Sequence, residues 1–128
     1  KDQDFAIILI PEFTKTKPLK VKLPKVPADG KIGRELVFSG YPSQMGLTTV
    51  RGRVAGGADG IIVMHSAAWM GSSGSSVFDE RGNLVGILYA VSLGRWQGEP
   101  VIMEDMVWVV SSSAINWAAA RDAVRKLH

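Results

Sequence analysis

The segment with the most chemical potential is Gly71-Ser72-Ser73-Gly74-Ser75-Ser76. A serine hydroxyl becomes an acyl-transfer nucleophile when a neighbouring base takes its proton. Backbone N–H groups must also face the oxyanion that develops. Gly71 and Gly74 suit the second demand. They permit backbone conformations that a β-carbon forbids, and they leave access to a substrate carbonyl clear. The segment lies between two apolar runs, so it reads as a loop joining strands. Taken alone it is equally a flexible Gly/Ser loop. It does not fit the Gly-x-Ser-x-Gly elbow, because position 75 is serine and strands, not a strand and a helix, flank it.

Other chemistries have less to work with. The chain has no cysteine, which excludes disulfides, thiolate nucleophiles and cysteine-ligated metals. Its two histidines, His65 and His128, are far apart in sequence, so no metal site is expected. Net charge is only +3, yet Lys15, Lys17, Lys20, Lys22 and Lys25 follow one another with no acid between them. Such a run can track phosphates. The lysines also alternate with Leu19, Val21 and Leu23 between Pro18 and Pro24, which reads as an edge strand guarded by charge. Nucleic-acid binding is therefore not expected. No apolar run approaches the roughly 20 residues that span a bilayer, so no membrane is expected. No signal peptide is visible, and the chain starts at Lys1, as a processed or trimmed chain would.

With 128 residues, 46% hydrophobic, the chain is long enough for one core and too short for two domains of usual size. Strand patterns dominate. Apolar or alternating runs fall at 5–10, 19–23, 35–38, 48–54, 60–64, 75–78, 84–91 and 106–110. Turn residues separate them, notably Ser39-Gly40-Tyr41-Pro42, Gly56-Gly57 and the five polar residues from Asp79 to Asn83. The spacing predicts an antiparallel barrel or sandwich. Residues 95–105 read as a long loop. One terminal helix is expected, capped by Ser112 or Ser113, with Trp117, Ala120, Val124 and Leu127 on one face. There is no internal repeat, low-complexity tract or evident linker.

In this order the landmarks resemble trypsin-like serine peptidases, and specifically the Deg-type (high-temperature-requirement) branch. Gly71-Ser72-Ser73-Gly74, then a hairpin, then Gly86-Ile87, is similar to the family's nucleophile region. Leu36-Val37-Phe38-Ser39-Gly40-Tyr41-Pro42 and Thr48-Thr49-Val50-Arg51-Gly52-Arg53-Val54 look like the branch's apolar-x-Gly-x-Pro hairpin. Asp4-Phe5-Ala6-Ile7-Ile8 looks like the strand carrying the catalytic aspartate, and Trp108-Val109-Val110-Ser111 like the last strand. The resemblance implies an all-β fold, an antiparallel six-stranded Greek-key barrel with one C-terminal helix. This would be the second barrel of the two-barrel fold plus the end of the first. Residues 1–30 would end the first barrel and connect the two, 31–111 form the second barrel, and 112–128 form the helix.

The same resemblance implies a serine endopeptidase with Ser73 as nucleophile and Asp4 orienting the imidazole. The N–H groups of Gly71 and Ser73 would form the oxyanion hole. Ala67 would lie at the base of the specificity pocket, with Tyr89, Ala90 and Val91 as its wall. The substrate would be a polypeptide with a small or medium aliphatic residue before the cleaved bond. No cofactor is implied.

The sequence departs from the family at several points. No histidine precedes Asp4, where the triad histidine is expected, and His65 falls in the loop before the nucleophile instead. The histidine is expected on an upstream segment or a partner chain that supplies the rest of the first barrel. Alternatively, the chain is a catalytically degenerate relative that acts as a binding or structural module. The apolar run at 5–10 would itself need a partner. Ser75-Ser76 stands where the family often has glycine and a small residue. Ser72 replaces the acid that trypsin proper pairs with a new N-terminus, so activation by that pair is not expected.

Overall fold

The computed structural model describes residues 5–8, 10, 15, 17–28, 31–68 and 71–127. Six antiparallel strands close into a barrel in the order β1-β2-β3-β6-β5-β4. They are β1 (Glu35–Gly40), β2 (Thr48–Ala58), β3 (Ile61–His65), β4 (Ser76–Asp79), β5 (Leu84–Trp96) and β6 (Glu99–Ser111). Helix α1 (Trp117–Lys126) follows. This is the barrel expected of the trypsin-like fold.

Alternation builds the core. Leu36 and Phe38 of β1, Ile62 and Met64 of β3, Val77 of β4, and Val107 and Val109 of β6 all point inward and are buried. Each such side chain contributes on the order of 1.5–3 kcal/mol when fully buried. Ala28 joins the same core from the segment before β1.

Turn chemistry fixes the order. Asp59 and Gly60 both have positive φ, 56° and 82°, and connect β2 to β3. Gln97 and Gly98 do the same between β5 and β6, at 51° and 83°. Two successive positive φ values match the twist of a two-residue hairpin. Strand β2 therefore runs through Gly56-Gly57 to Ala58, with a register shift between Val54 and Gly56, and does not stop at the glycines. The hairpin at Gln97-Gly98 also corrects the loop expected at 95–105. That segment is ladder, with Arg95 opposite Pro100 and Leu93 opposite Ile102.

The β4–β5 hairpin is held by the Asp79 carboxylate. Its Oδ1 accepts from the N–H groups of Arg81 and Asn83, both at 2.9 Å. Its Oδ2 accepts from Asn83 Nδ2 at 3.0 Å and lies 3.5 Å from an Arg34 guanidinium nitrogen. Asp79 is only 3% exposed. Burial by itself pushes the carboxyl up. The Asn83 side chain, the Asn83 and Arg81 N–H groups and the Arg34 charge outweigh it, so the group lies below its ordinary value of 3.8.

Two expected strands do not form among the described residues. The described residues of 5–10 form no strand, and Ile7, Ile8 and Ile10 are exposed, Ile8 at 81%. A run of apolar residues becomes a buried strand only where another strand pairs with it, and none of the described residues does so here. Residues 19–23 form no strand either. Their lysines do face water, but the segment's anchor is a single bond, Leu84 N–H to Lys22 O at 2.7 Å. The helix cap also differs from expectation. Ser111 Oγ accepts from Ser113 N–H and starts a separate one-turn helix, Ser112–Ala114. Asn116 then caps α1, its side chain accepting from Ala119 N–H at 3.0 Å. Trp117 Nε1 donates to Ser112 O at 2.9 Å and ties the two turns together.

Candidate active site

The loop between β3 and β4 is anchored at both ends. Ser66 N–H donates to Asp105 O of β6 at 3.0 Å. At the other end Gly74 N–H donates to Leu88 O at 2.7 Å, and Leu88 N–H to Ser75 O at 2.9 Å. These bonds extend the β4–β5 ladder into the loop. Between them a turn closes from Ser75 N–H to Ser72 O at 3.2 Å and leaves Ser73 at its exposed tip.

The serines in this loop have different fates. Ser72 is buried. Ser75 is nearly buried, and its hydroxyl faces β1 so closely that a Cβ on Gly40 would overlap it. Ser73 Oγ, by contrast, is exposed and donates to Tyr89 O at 3.3 Å. Tyr89 is the extra residue of a bulge, since Leu88 pairs with Val109 and Ala90 with Trp108. A bulge re-aims backbone groups beside a site, and here a carbonyl faces the Ser73 hydroxyl.

Gly71 has a φ of 95° and sits against the β1–β2 connection. A Cβ there would lie 2.8 Å from Tyr41 O and 3.3 Å from Ser43 N. Both the conformation and the space demand glycine. Gly71→Ala is expected to lower unfolding free energy by about 1–3 kcal/mol, read as a lower denaturant midpoint. An unchanged midpoint would show that the loop is not held against Tyr41. Among the described residues, no hydrogen bond engages the N–H of Gly71 or of Ser73.

Two hollows meet at Ser73 and Gly74. One, of about 450 Å³, runs between the loop and β1, with Gly40, Tyr41, Leu47 and Phe78 among its lining. The other, of about 460 Å³, is lined by Ile87, Leu88 and Tyr89 and by Phe5, Ala6 and Ile8. Among the described residues, no charged side chain lines either one.

The remaining expected residues are distributed as follows. Asp4 and His128 lie outside the described residues. Ala90 and Val91 follow Tyr89 on β5, paired with Trp108 and Val107. Ala67 is exposed and lines a third hollow with His65, Arg51, Arg53 and Asp105. Ser73 is not among the residues that line that hollow. Sequence reasoning had not assigned a site role to Tyr41 or to the Tyr89 carbonyl. Gly40-Tyr41-Pro42 was visible as a turn, but only the barrel shows that it abuts Gly71.

The trypsin-like peptidase domain model matches residues 1–87, more than half of the chain and all of the Ser73 loop. This chain belongs to the trypsin-like peptidase family. Its barrel is similar to Rv3671c protease of M. tuberculosis. The inactive form of that protein aligns with a TM-score of 0.62 and 17% identity over 81% of this chain and 55% of that one. The active form gives 0.61 and 17% over 80% and 48%. The HtrA-type protease AlgW with decapeptide gives 0.57 and 21% over 73% of this chain and 30% of that one. At these identities the likeness is one of fold, and active and inactive forms match equally well. This trypsin-like chain spans about half the length of Rv3671c. A comparison with curated proteins gives no match. Among the described residues, no helix is long and apolar enough to cross a membrane.

Proposed function

We propose that this chain carries the nucleophile of a serine endopeptidase, with Ser73 as the attacking residue. The carrying observation is the placement of its hydroxyl. It is exposed where two hollows without charged lining meet, and among the described residues no hydrogen bond engages the N–H groups of Gly71 and Ser73.

In this reading an imidazole on a segment upstream of Asp4, or on a partner chain, takes the proton from Ser73 Oγ. The oxygen adds to the scissile carbonyl carbon. The resulting oxyanion accepts hydrogen bonds from the Gly71 and Ser73 N–H groups. The imidazolium then gives its proton to the leaving amine as the C–N bond breaks, which leaves an acyl-enzyme at Ser73. Water, deprotonated by the same imidazole, releases the acid and restores the hydroxyl. Asp4 orients the imidazole. In support, its chain neighbours Phe5 and Ala6 line the hollow that Ser73 lines.

The substrate is a polypeptide with a small or medium aliphatic residue before the cleaved bond. The uncharged lining supports this, with Tyr89 on the wall and Ala90 and Val91 next on the same strand. Ala67, which also lines a hollow with His65, Arg51, Arg53 and Asp105, would form the base of the specificity pocket.

The test is labelling of the full-length natural protein with a fluorophosphonate probe, followed by mass-spectrometric localisation. The expected result is modification at Ser73. Absence of labelling would sink the peptidase reading and favour a degenerate fold that binds without cleaving. Labelling at another serine would sink the assignment of Ser73.

A further inference from the structure

The lysine run has lost its first explanation. An edge strand needs its charges to repel other sheets, but residues 19–23 are not a strand. Instead the segment lies across the β4–β5 hairpin, pinned by the bond from Leu84 N–H to Lys22 O. Where it crosses, it encloses a hollow of about 440 Å³ lined by Lys22, Leu23, Lys25, Val26, Arg34 and Arg81, among others.

Four cations therefore converge on one hollow. Among the described residues, only Arg34 of these four has a counter-charge, the buried Asp79 carboxylate. Among the described residues, Lys22, Lys25 and Arg81 form no ion pair. Glu80, next to Arg81, lines a different hollow with Glu35 and Arg51. The floor is not purely polar. Leu23 is 41% exposed and Val26 52% exposed, both beside the unpaired charges. Among the described residues, no aromatic side chain lines the hollow to offer nucleobases a stacking platform.

We propose that this hollow binds an acidic peptide segment carrying aliphatic side chains. Its carboxylates would meet Lys22, Lys25 and the planar guanidinium of Arg81. Its aliphatic groups would cover Leu23 and Val26. The hollow sits at the Asp79 end of β4, whereas Ser73 precedes the Ser76 end, about 10 Å of strand away. An acidic stretch bound here would thus be held apart from the Ser73 loop. The inference does not depend on Ser73 being a nucleophile.

The experiment is fluorescence anisotropy on the full-length protein with a short fluorescein-labelled peptide of Asp and Glu containing two leucines. The variant Lys22→Gln/Lys25→Gln/Arg81→Gln is expected to bind about tenfold more weakly. A control removing the same charge from α1, Arg121→Gln/Arg125→Gln/Lys126→Gln, should bind as the parent does. All six side chains are exposed, so matched melting midpoints are expected. Lys25→Gln alone should weaken binding in the same direction. Raising salt from 0.05 M to 0.5 M should weaken binding about tenfold. Replacing the leucines of the probe with serine should cost about fivefold. No binding at low salt, or equal losses in the two triple variants, would overturn the proposal. So would tighter binding of oligothymidylate of equal charge, which would assign the hollow to nucleic acid. Indifference to the leucines would reduce it to a general anion site and overturn the peptide assignment.

Discussion

With Ser73 as the proposed nucleophile, Ser73→Ala is expected to lower peptide hydrolysis by the full-length protein roughly ten-thousand-fold or more, because loss of a triad nucleophile leaves only residual catalysis. Stability should change by less than about 0.5 kcal/mol, since the exposed hydroxyl makes one long bond, 3.3 Å to Tyr89 O. The two readouts must separate. A large loss of turnover with an unchanged melting midpoint supports chemistry at Ser73, whereas a lowered midpoint would point to a structural role. Ser75→Ala is the informative comparison. Its hydroxyl is nearly buried against Gly40, so it should leave turnover largely intact. Full loss from Ser75→Ala with none from Ser73→Ala would move the nucleophile to Ser75.

Asp79→Ala is expected to destabilise the barrel by about 3 kcal/mol, because it strands the N–H groups of Arg81 and Asn83 and leaves Arg34 without its partner. The loss should also depend on pH with a definite sign. In the folded state the Asp79 carboxyl titrates below its ordinary value of 3.8. The folded protein therefore holds the ionised form more tightly than the unfolded chain does. That stabilisation is fully present above the ordinary value and disappears as pH falls from there through the folded one. Denaturant midpoints of the parent protein should thus fall as pH drops below about 4, and those of Asp79→Asn should fall less over the same window. A gap between the two that stays constant from neutral pH downward would show that the carboxylate's charge is not what holds the hairpin.

Some of this was legible in the linear sequence and some was not, for reasons that differ by residue. Short apolar runs at 35–38 and 60–64, bounded by turn residues, mark strands in the sequence, and the barrel decides that Leu36, Phe38, Ile62 and Met64 form the face that leaves water. Gly82 within a run of polar residues marks the β4–β5 hairpin because its φ is positive. Asp59-Gly60 is an equally clear turn signal in the sequence, and the chain turns there and not at Gly56-Gly57. Local rules failed at residues 95–105, where Gly98 and Pro100 look like loop breakers but belong to a tight hairpin. Gly98 serves the two-residue turn, and Pro100 is paired opposite Arg95 beside it.

The resemblance of Gly71-Ser72-Ser73-Gly74 and its flanking runs to the trypsin-like nucleophile region pointed to acyl transfer, and the positive φ of Gly71 and Gly74 accounts for glycine at both positions. Which serine stands free was a matter of tertiary structure. Ser72, Ser73, Ser75 and Ser76 are alike in the sequence; barrel closure buries Ser72 and Ser75, leaves Ser73 and Ser76 exposed, and sets the Ser73 hydroxyl beside the Tyr89 carbonyl. The same holds for Ala67 and for the lysines. A residue's distance along the chain does not say which hollow it lines, and alternation between Pro18 and Pro24 does not make a strand without a neighbouring strand to accept its hydrogen bonds. Composition and local order determined the elements of the barrel. Long-range pairing decided which side chains share a site.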